Sequence, residues 1–163
     1  AMAPSSRNLN YRELDSFSFP IDPTVPMNEG DLMYLDDSAD PRVAKPISAK
    51  AHCAKLLGDS KSQNPVAHHS TINTTSITLG PRRTVKLICR EAGTVDMLTP
   101  VYFSTDAQSF CITPPTPADH TEGLIGKIMP CPKENGGSKI TLVVGNEYEI
   151  QLRESYAYSM AVA

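Results

Sequence analysis

Apolar and polar residues alternate most regularly in the segment TVKLICRE, near the middle of the chain. Val85, Leu87 and Cys89 fall on one side of an extended backbone, and Lys86 and Arg90 fall on the other. A period of two is typical of a β-strand that has one face in a core and the other in solvent. The segment therefore predicts a half-buried strand.

The end of the chain carries two more alternating segments, KITLVV and YEIQLR. In the second segment Tyr148, Ile150 and Leu152 share one face, and charged or polar residues occupy the other. Gly145-Asn146 stands between the two segments, and such a pair between alternating runs is typical of a tight hairpin. We therefore expect these two strands to pair with each other.

Short apolar runs between turn-forming residues predict further strands. They are LMYL at 32–35, the extended run 43–47, the two arms of TPVYFSTDAQSFCITP at 99–114, and GLIGKI at 123–128. The segment SAKAHCAKLLGDS at 48–60 fits a helical turn by propensity or a strand by context, and we favour the strand. Residues 58–75 are predicted to be a long polar loop, and EAGTVDMLTP at 91–100 a connection around Gly93.

This spacing indicates the fold class. About eight short strands follow one another at roughly the 8–12-residue spacing of barrels and sandwiches, without strand–helix–strand alternation. The 14 prolines outnumber the 9 glycines, and prolines interrupt helices and central strands. We predict a small antiparallel β-barrel or β-sandwich with little helix over residues 30–153, followed by a C-terminal tail, 154–163.

Residues 1–29 differ from the rest and predict an extended N-terminal arm. Pro20, Pro23 and Pro26 recur every third residue, which favours an extended, polyproline-like path. A disordered leader is one interpretation, although disordered segments are usually poor in aromatic residues. The alternative is an arm that orders on another subunit. Its predicted partner-binding anchors are Tyr11, Leu14, Phe17, Phe19 and Ile21.

Composition excludes some classes of partner. The formal net charge of −3 over 163 residues argues against nucleic-acid binding, which needs a concentrated positive surface. No apolar run approaches the roughly 20 residues of a membrane span. The four cysteines form no C-x-x-C pair, so reduced structural thiols and folding in the cytoplasm are expected.

The search for reactive groups finds none with a recognised spacing. His68-His69 is the most tempting pair, yet adjacent residues of an extended segment point to opposite faces. His52 and His120 could join them only through the fold. No nucleophile elbow, P-loop or dinucleotide glycine pattern occurs. The sequence predicts no catalytic centre, no cofactor and no metal site, and hence no enzyme.

Five segments in a fixed order carry a family resemblance. They are GDLMYLDDSADPRVAKPI, LLGDSKSQNPV, RTVKLICREAGTVDMLTPVYFSTDAQSFCIT, EGLIGKIM and KITLVVGNEYEIQLR. Together they span roughly residues 30–153, and the chain resembles the head decoration, or capsid cement, proteins of tailed bacteriophages. The TPVYF hairpin and GLIGKI are the most specific parts of the match.

The resemblance implies a structural virion protein without an active site. It would be made in the host cytoplasm and would bind the exterior of the capsid, at junctions between capsomers. Its partners would be the major capsid protein and other copies of itself, with a trimer favoured over a dimer or monomer. One alternative is a small metal-dependent enzyme or ligand-binding module that uses His68, His69 and His120. Another is a carbohydrate- or receptor-binding virion protein, against which the absence of Trp counts.

Overall fold

The structure is a computed structural model that describes residues 16–22, 24–38, 42–60, 74–78, 84–129 and 138–157. Strands account for 49% of it and helix for 8%. The prediction of an all-β, barrel-like fold with little helix is therefore confirmed. No helix in these ranges is long and apolar enough to cross a membrane.

The described residues contain a 3₁₀ helix at Lys50–Lys55 and twelve strands. The strands are β1 (Ser16–Pro20), β2 (Leu32–Asp36), β3 (Val43–Pro46), β4 (Leu56–Ser60), β5 (Thr74–Thr78), β6 (Thr84–Cys89), β7 (Gly93–Asp96), β8 (Pro100–Tyr102), β9 (Ser109–Phe110), β10 (Leu124–Ile128), β11 (Lys139–Leu142) and β12 (Glu147–Leu152).

The first half of the chain forms an antiparallel sheet with the strand order β1-β5-β4-β2-β3. The sheet curls on itself, because Ile21, directly after β1, makes a parallel bridge to Ala44 in β3 at the other edge. Met33, Leu35 and Leu57 are almost fully buried in the apolar cluster of this sheet. This arrangement brings the two outer strands together and gives the first sheet its barrel character.

The second half forms another five-stranded sheet, with the order β8-β10-β12-β6-β9. Its outer strands also meet, since Tyr102 and Cys111 exchange two backbone hydrogen bonds of 2.8 and 2.9 Å. Its neighbouring strands are antiparallel except β6 and β9, which are parallel. The alternation predicted for β6 is confirmed, because Val85, Leu87 and Cys89 are the buried residues of that strand.

Among the strands that the structure describes, β7 and β11 pair only with each other, as a two-stranded ribbon. The register runs from Lys139 opposite Asp96 to Leu142 opposite Gly93. Ile140 and Leu142 point into the core and are 3% and 2% exposed. The ribbon thus covers one side of the core with its inner face and presents its outer face to solvent.

The two sheets share one apolar core. Leu32 and Leu56 from the first sheet belong to the same buried cluster as Phe110 and Ile150 from the second. Arg153, directly after β12, donates hydrogen bonds from Nη1 to the carbonyls of Cys53 and Leu124, at 3.3 and 3.2 Å. The described parts of the two halves therefore pack together around a continuous interior.

The strand favoured for 48–60 is wrong for its first part. Residues 50–55 form the 3₁₀ helix, and only residues 56–60 form a strand. His52 stabilises this helix, since its ring stacks on Tyr34 with ring centroids 3.8 Å apart and its Nδ1 accepts a hydrogen bond from the Ser48 amide. The helical propensity of Ala and Lys agreed with the result.

The hairpin predicted for KITLVV and YEIQLR is also wrong. The chain does turn at 143–146, where Asn146 donates to the Val143 carbonyl at 3.1 Å. The turn is instead hydrogen-bonded to the end of β6. The Gly145 amide donates to the Cys89 carbonyl, and the Cys89 amide donates to the Asn146 carbonyl. This contact directs β12 between β6 and β10, while β11 joins β7.

The pairing predicted for 99–114 is only partly present. Strands β8 and β9 are joined by the Tyr102–Cys111 bridge, but β8 otherwise pairs with β10 and β9 with β6. The predicted loop 58–75 and connection 91–100 each contain strand residues that the sequence interpretation missed, namely part of β5 and all of β7.

The described part of the predicted arm contributes to the fold of its own chain. The expectation that the sheet begins only at Leu32 is wrong, because β1 pairs with β5 of its own chain over five residues. Met27 is 3% exposed in the same apolar cluster. The start of the predicted tail also packs on this sheet, since Ser155 Oγ donates to the Leu57 carbonyl at 2.7 Å.

Candidate interaction surface

The five predicted arm anchors have different surroundings. Tyr11 and Leu14 lie outside the described residues, and Phe17 lies in β1, opposite Ile77 of β5. Phe19 is half-buried against the cluster of the first sheet, and Ile21 is 4% exposed within it. Ile21 thus fills the core of its own chain, contrary to the expectation that it lies on a neighbouring subunit. A partner-binding role for Tyr11, Leu14, Phe17 and Phe19 stays a prediction.

The histidines proposed for the alternative metal site are not brought together in the described ranges. His68 and His69 lie outside those ranges, and His120 is exposed in the loop before β10. Within the residues that the structure describes, no three His, Cys, Asp or Glu side chains are grouped to hold a metal ion. His52 is occupied by its contacts with Tyr34 and Ser48.

An open cleft of about 470 Å³ contains two carboxylates, Asp31 and Asp106. Both are engaged in bonds that hold loops together. Asp31 accepts from the Asn28 amide at 2.8 Å and from Gln108 Nε2 at 2.7 Å. Asp106 accepts from the Gln108 amide at 2.8 Å and lies 3.6 Å from Arg90. These contacts explain both carboxylates as structural groups, since Asp31 joins the first sheet to the loop before β9 and Asp106 holds that loop beside the end of β6.

The described cysteines are free thiols, as expected, while Cys131 lies outside the described residues. Cys53 and Cys89 are fully buried, and burial raises the pKa of the Cys53 thiol to about 12. A thiol with so high a pKa is a poor nucleophile at neutral pH, because the thiolate is the reactive form. The arrangement indicates a packing role for Cys53.

The exposed large apolar side chains are concentrated on one element. Among the described residues they are Met97, Leu98, Val143 and Val144, which are 37%, 49%, 51% and 54% exposed. Met97 and Leu98 directly follow β7, and Val143 and Val144 directly follow β11. Because β7 and β11 are antiparallel, the two apolar pairs lie at opposite ends of the ribbon.

The outer face of the ribbon between these ends is polar. Lys139 lies 3.3 Å from Asp96 across the two strands, and the hydroxyls of Thr94 and Thr141 lie 3.4 Å apart. We call this face and its two apolar ends the ribbon surface; it comprises Thr94, Asp96, Met97, Leu98, Lys139, Thr141, Val143 and Val144. Each apolar pair thus borders the polar face of the ribbon, and exposed apolar side chains bordered by polar residues occur at surfaces that bind other proteins.

Leu98 has an unusual backbone conformation. Its φ is 65°, and it is the one residue other than glycine with a positive φ in the described part of the chain. It is the third residue of a turn in which the Thr99 amide donates to the Asp96 carbonyl at 3.2 Å. The left-handed conformation costs a residue with a Cβ about 1–2 kcal/mol, and glycine avoids this cost.

The turn at the other end of the ribbon provides a comparison within the same molecule. It has the same hydrogen bond, from Asn146 to Val143, and its third residue is Gly145 with a φ of 94°. One end of the ribbon therefore has the residue that the conformation favours, and the other has a large apolar residue that is half exposed.

The ribbon surface was not predicted from the sequence. Met97 and Leu98 fell in a segment interpreted as a connection, and Val143 and Val144 were counted as part of a strand. An apolar pair beside turn residues was the available signal, but two such pairs become one surface only through the pairing of β7 with β11.

Comparison with known proteins gave no relative of this chain. A scan against family models, a search of curated proteins and a search of solved structures each returned no match.

Proposed function

We propose that the protein is a structural component of a tailed-phage virion that binds the outer surface of the capsid at junctions between capsomers and stabilises the shell. The resemblance of residues 30–153 to capsid cement proteins suggests this class, and the all-β fold is compatible with it. The observation that carries the proposal is the ribbon surface, where the described large exposed apolar side chains are gathered at the ends of one ribbon.

The free energy available from burial of the ribbon surface is compatible with binding at many equivalent sites of a capsid lattice. Burial of a whole Val, Leu or Met side chain contributes about 1.5–3 kcal/mol, so four half-exposed side chains offer roughly half of that each, or about 3–6 kcal/mol. Association itself costs about 4–15 kcal/mol. One ribbon surface would thus bind weakly alone. A copy that contacts several capsid subunits at once gains affinity through avidity.

Binding to shells tests the proposal. Expanded shells would be purified from the major capsid protein that is encoded in the same genome as this chain. They would be mixed with increasing concentrations of the protein and sedimented. We expect saturable binding at a fixed number of copies per shell and a higher melting temperature of the shell. Absence of saturable binding, or binding without any change in shell stability, would contradict the proposal.

A pair of variants connects the binding to the ribbon surface. Val143→Thr combined with Val144→Thr keeps the shape of both side chains and removes apolar area, so we expect fewer copies bound at equal concentration. Ala118→Ser changes an exposed residue of the proline-rich loop before β10 and serves as the matched control. Equal occupancy for the double variant and the control would show that shells are bound through another surface.

A further inference from the structure

The backbone around Leu98 is fixed by three hydrogen bonds to its neighbours. The Met97 amide donates to the Ser138 carbonyl at 2.8 Å, the Leu98 amide to the Ile128 carbonyl at 2.9 Å, and the Thr99 amide to the Asp96 carbonyl at 3.2 Å. These bonds hold the turn against the end of β10 and the start of β11. The Leu98 side chain is therefore presented to solvent from a rigid base.

A leucine at this position opposes both local backbone preference and solvation. Glycine would satisfy the same φ without strain, as Gly145 does in the other turn. A polar residue would be better solvated at 49% exposure. Strained residues persist where the surrounding structure holds them, and they cluster at binding and active sites. The side chain is thus the feature of Leu98 that calls for an explanation.

We propose that Leu98 is the anchor of the ribbon surface and inserts into an apolar socket on the capsid protein, with a carboxylate at the rim of that socket. This inference rests on the proposed function and adds the residue and the chemistry of its partner. A rigid apolar side chain loses little entropy on docking, and such anchors dominate the energy of interfaces.

The charge of the rim follows from Lys127, since the other lysine beside the turn is already paired. Lys139 pairs with Asp96 at the base of the turn. Lys127 immediately precedes Ile128, whose carbonyl accepts the Leu98 amide, and the side chain of Lys127 is exposed, without an ion pair within the described residues. A carboxylate on the partner would complement Lys127 and raise the association rate.

Three substitutions of Leu98 separate anchoring from folding. Leu98→Gly and Leu98→Asn relieve the left-handed strain and remove the apolar side chain, whereas Leu98→Met keeps an apolar side chain of similar size. We expect the first two variants to melt no lower than the wild type yet to bind expanded shells roughly tenfold more weakly or worse. Leu98→Met should bind within about threefold of the wild type.

Gly30→Ala is the matched control for strain. Gly30 has a φ of 92° and open space where a Cβ would lie, and its turn, next to β2, is not part of the ribbon surface. We expect it to lower the melting temperature and to leave shell binding unchanged. Lys127→Gln should weaken binding and reduce its dependence on salt, because attraction between exposed charges is screened by ions.

The outcomes distinguish this inference from the proposed function. Saturable binding of the wild type together with equal binding of Leu98→Gly would overturn the anchor role and leave the proposed function intact. A lower melting temperature of Leu98→Gly would show that the side chain stabilises the fold, and a change in the oligomeric state of the free variant would place the socket on a second copy; either result overturns the inference. No binding by the wild type would remove the proposed function itself.

Discussion

Replacement of Gly126 by alanine is the most direct test of the packing between strands. Gly126 lies in β10, where it is opposite Leu152 of β12 on one side and Val101 of β8 on the other. A Cβ at this position would lie 2.0 Å from the Gln151 carbonyl oxygen and 3.0 Å from Leu152 Cα. Both are backbone atoms of β12, so no side-chain rotation relieves the overlap.

The expected cost follows from the size of this overlap. Strands β10 and β12 must separate by about 1 Å, and overpacking of this kind costs roughly 1–3 kcal/mol or more. The separation also strains the flanking hydrogen bonds from Arg153 to the Ile125 carbonyl and from Met129 to the Glu149 carbonyl, both 2.9 Å long. Loss of each bond costs about 1 kcal/mol. We expect Gly126→Ala to lower the free energy of unfolding by about 3–5 kcal/mol.

Urea unfolding followed by tyrosine fluorescence measures this cost, since the chain has six Tyr and no Trp. Gly145→Ala is the control, because Gly145 has a φ of 94° and nothing within 4 Å of the added Cβ. It should lose only the strain of a positive φ, about 1–2 kcal/mol. Equal losses for the two variants, or a loss below about 1 kcal/mol for Gly126→Ala, would refute the argument from strand packing.

Three further predictions concern ionisable groups. Hydrogen bonds from Lys45 Nζ, 2.6 Å from Asp36 Oδ2, and from Ser38 lower the pKa of Asp36 to about 2. The stability that the ionised Asp36 contributes is therefore complete above the ordinary pKa of 3.8 and is lost as the pH falls toward 2. Asp36→Asn should make the urea midpoint less dependent on pH over that range, and an unchanged dependence would contradict this. Burial lowers the pKa of His52, so protonation of its ring in the unfolded chain reduces the stability of the fold as the pH falls below 6.5. His52→Phe should have a lower melting temperature than the wild type at pH 7, and its melting temperature should show no such loss between pH 7 and 5. Burial opposes ionisation of Glu91, but the hydrogen bonds it accepts from Thr113 and Ile112 outweigh burial and lower its pKa. Glu91→Ala, which removes the acceptor oxygens, should cost about 1–2 kcal/mol and accelerate amide exchange at 112–113, whereas exchange at the wild-type rate would argue against the role of these bonds.

The strands that the sequence predicts correctly are those whose pattern is local. In β6 and β12 the side chains alternate between core and solvent, and Ile150 and Leu152 are buried as the pattern requires. This signal depends on one strand and the core beneath it, so it is present in the sequence. The same signal carries no information about the neighbouring strand.

The predicted pairing of the strands was wrong where the closure of the sheets determines which strands are neighbours. Strand β11 follows β10 and precedes β12, yet it pairs with β7 rather than with either. Parallel pairing of β6 with β9 likewise joins segments that no hairpin signal relates. Such contacts are set by how both sheets enclose one core, which is a property of the whole chain.

The packing of Gly126 also bears on what the resemblance to capsid cement proteins implies. The segment GLIGKI was one of its two most specific parts, and the structure supplies a local reason for the second glycine, the contact with β12. A glycine required by packing would recur in any protein with this strand arrangement. The segment therefore supports the fold more strongly than it supports binding to a capsid, and the functional proposal depends on the ribbon surface.

Leu98 is the exception among the described residues with a positive φ, because the others are glycines. The sequence places glycine at the other positive-φ positions of the described chain, including Gly30 and Gly145, so its local choices agree with its backbone almost throughout. Agreement of this kind is expected of a folded protein, and exceptions to it concentrate at functional sites. A strain of about 1–2 kcal/mol is a substantial part of the 5–15 kcal/mol that stabilises an ordinary domain. The hydrogen bonds that fix the Leu98 backbone are ones that glycine would make equally well, so they do not account for its side chain, whereas an apolar socket on a partner would account for the half of it that is exposed.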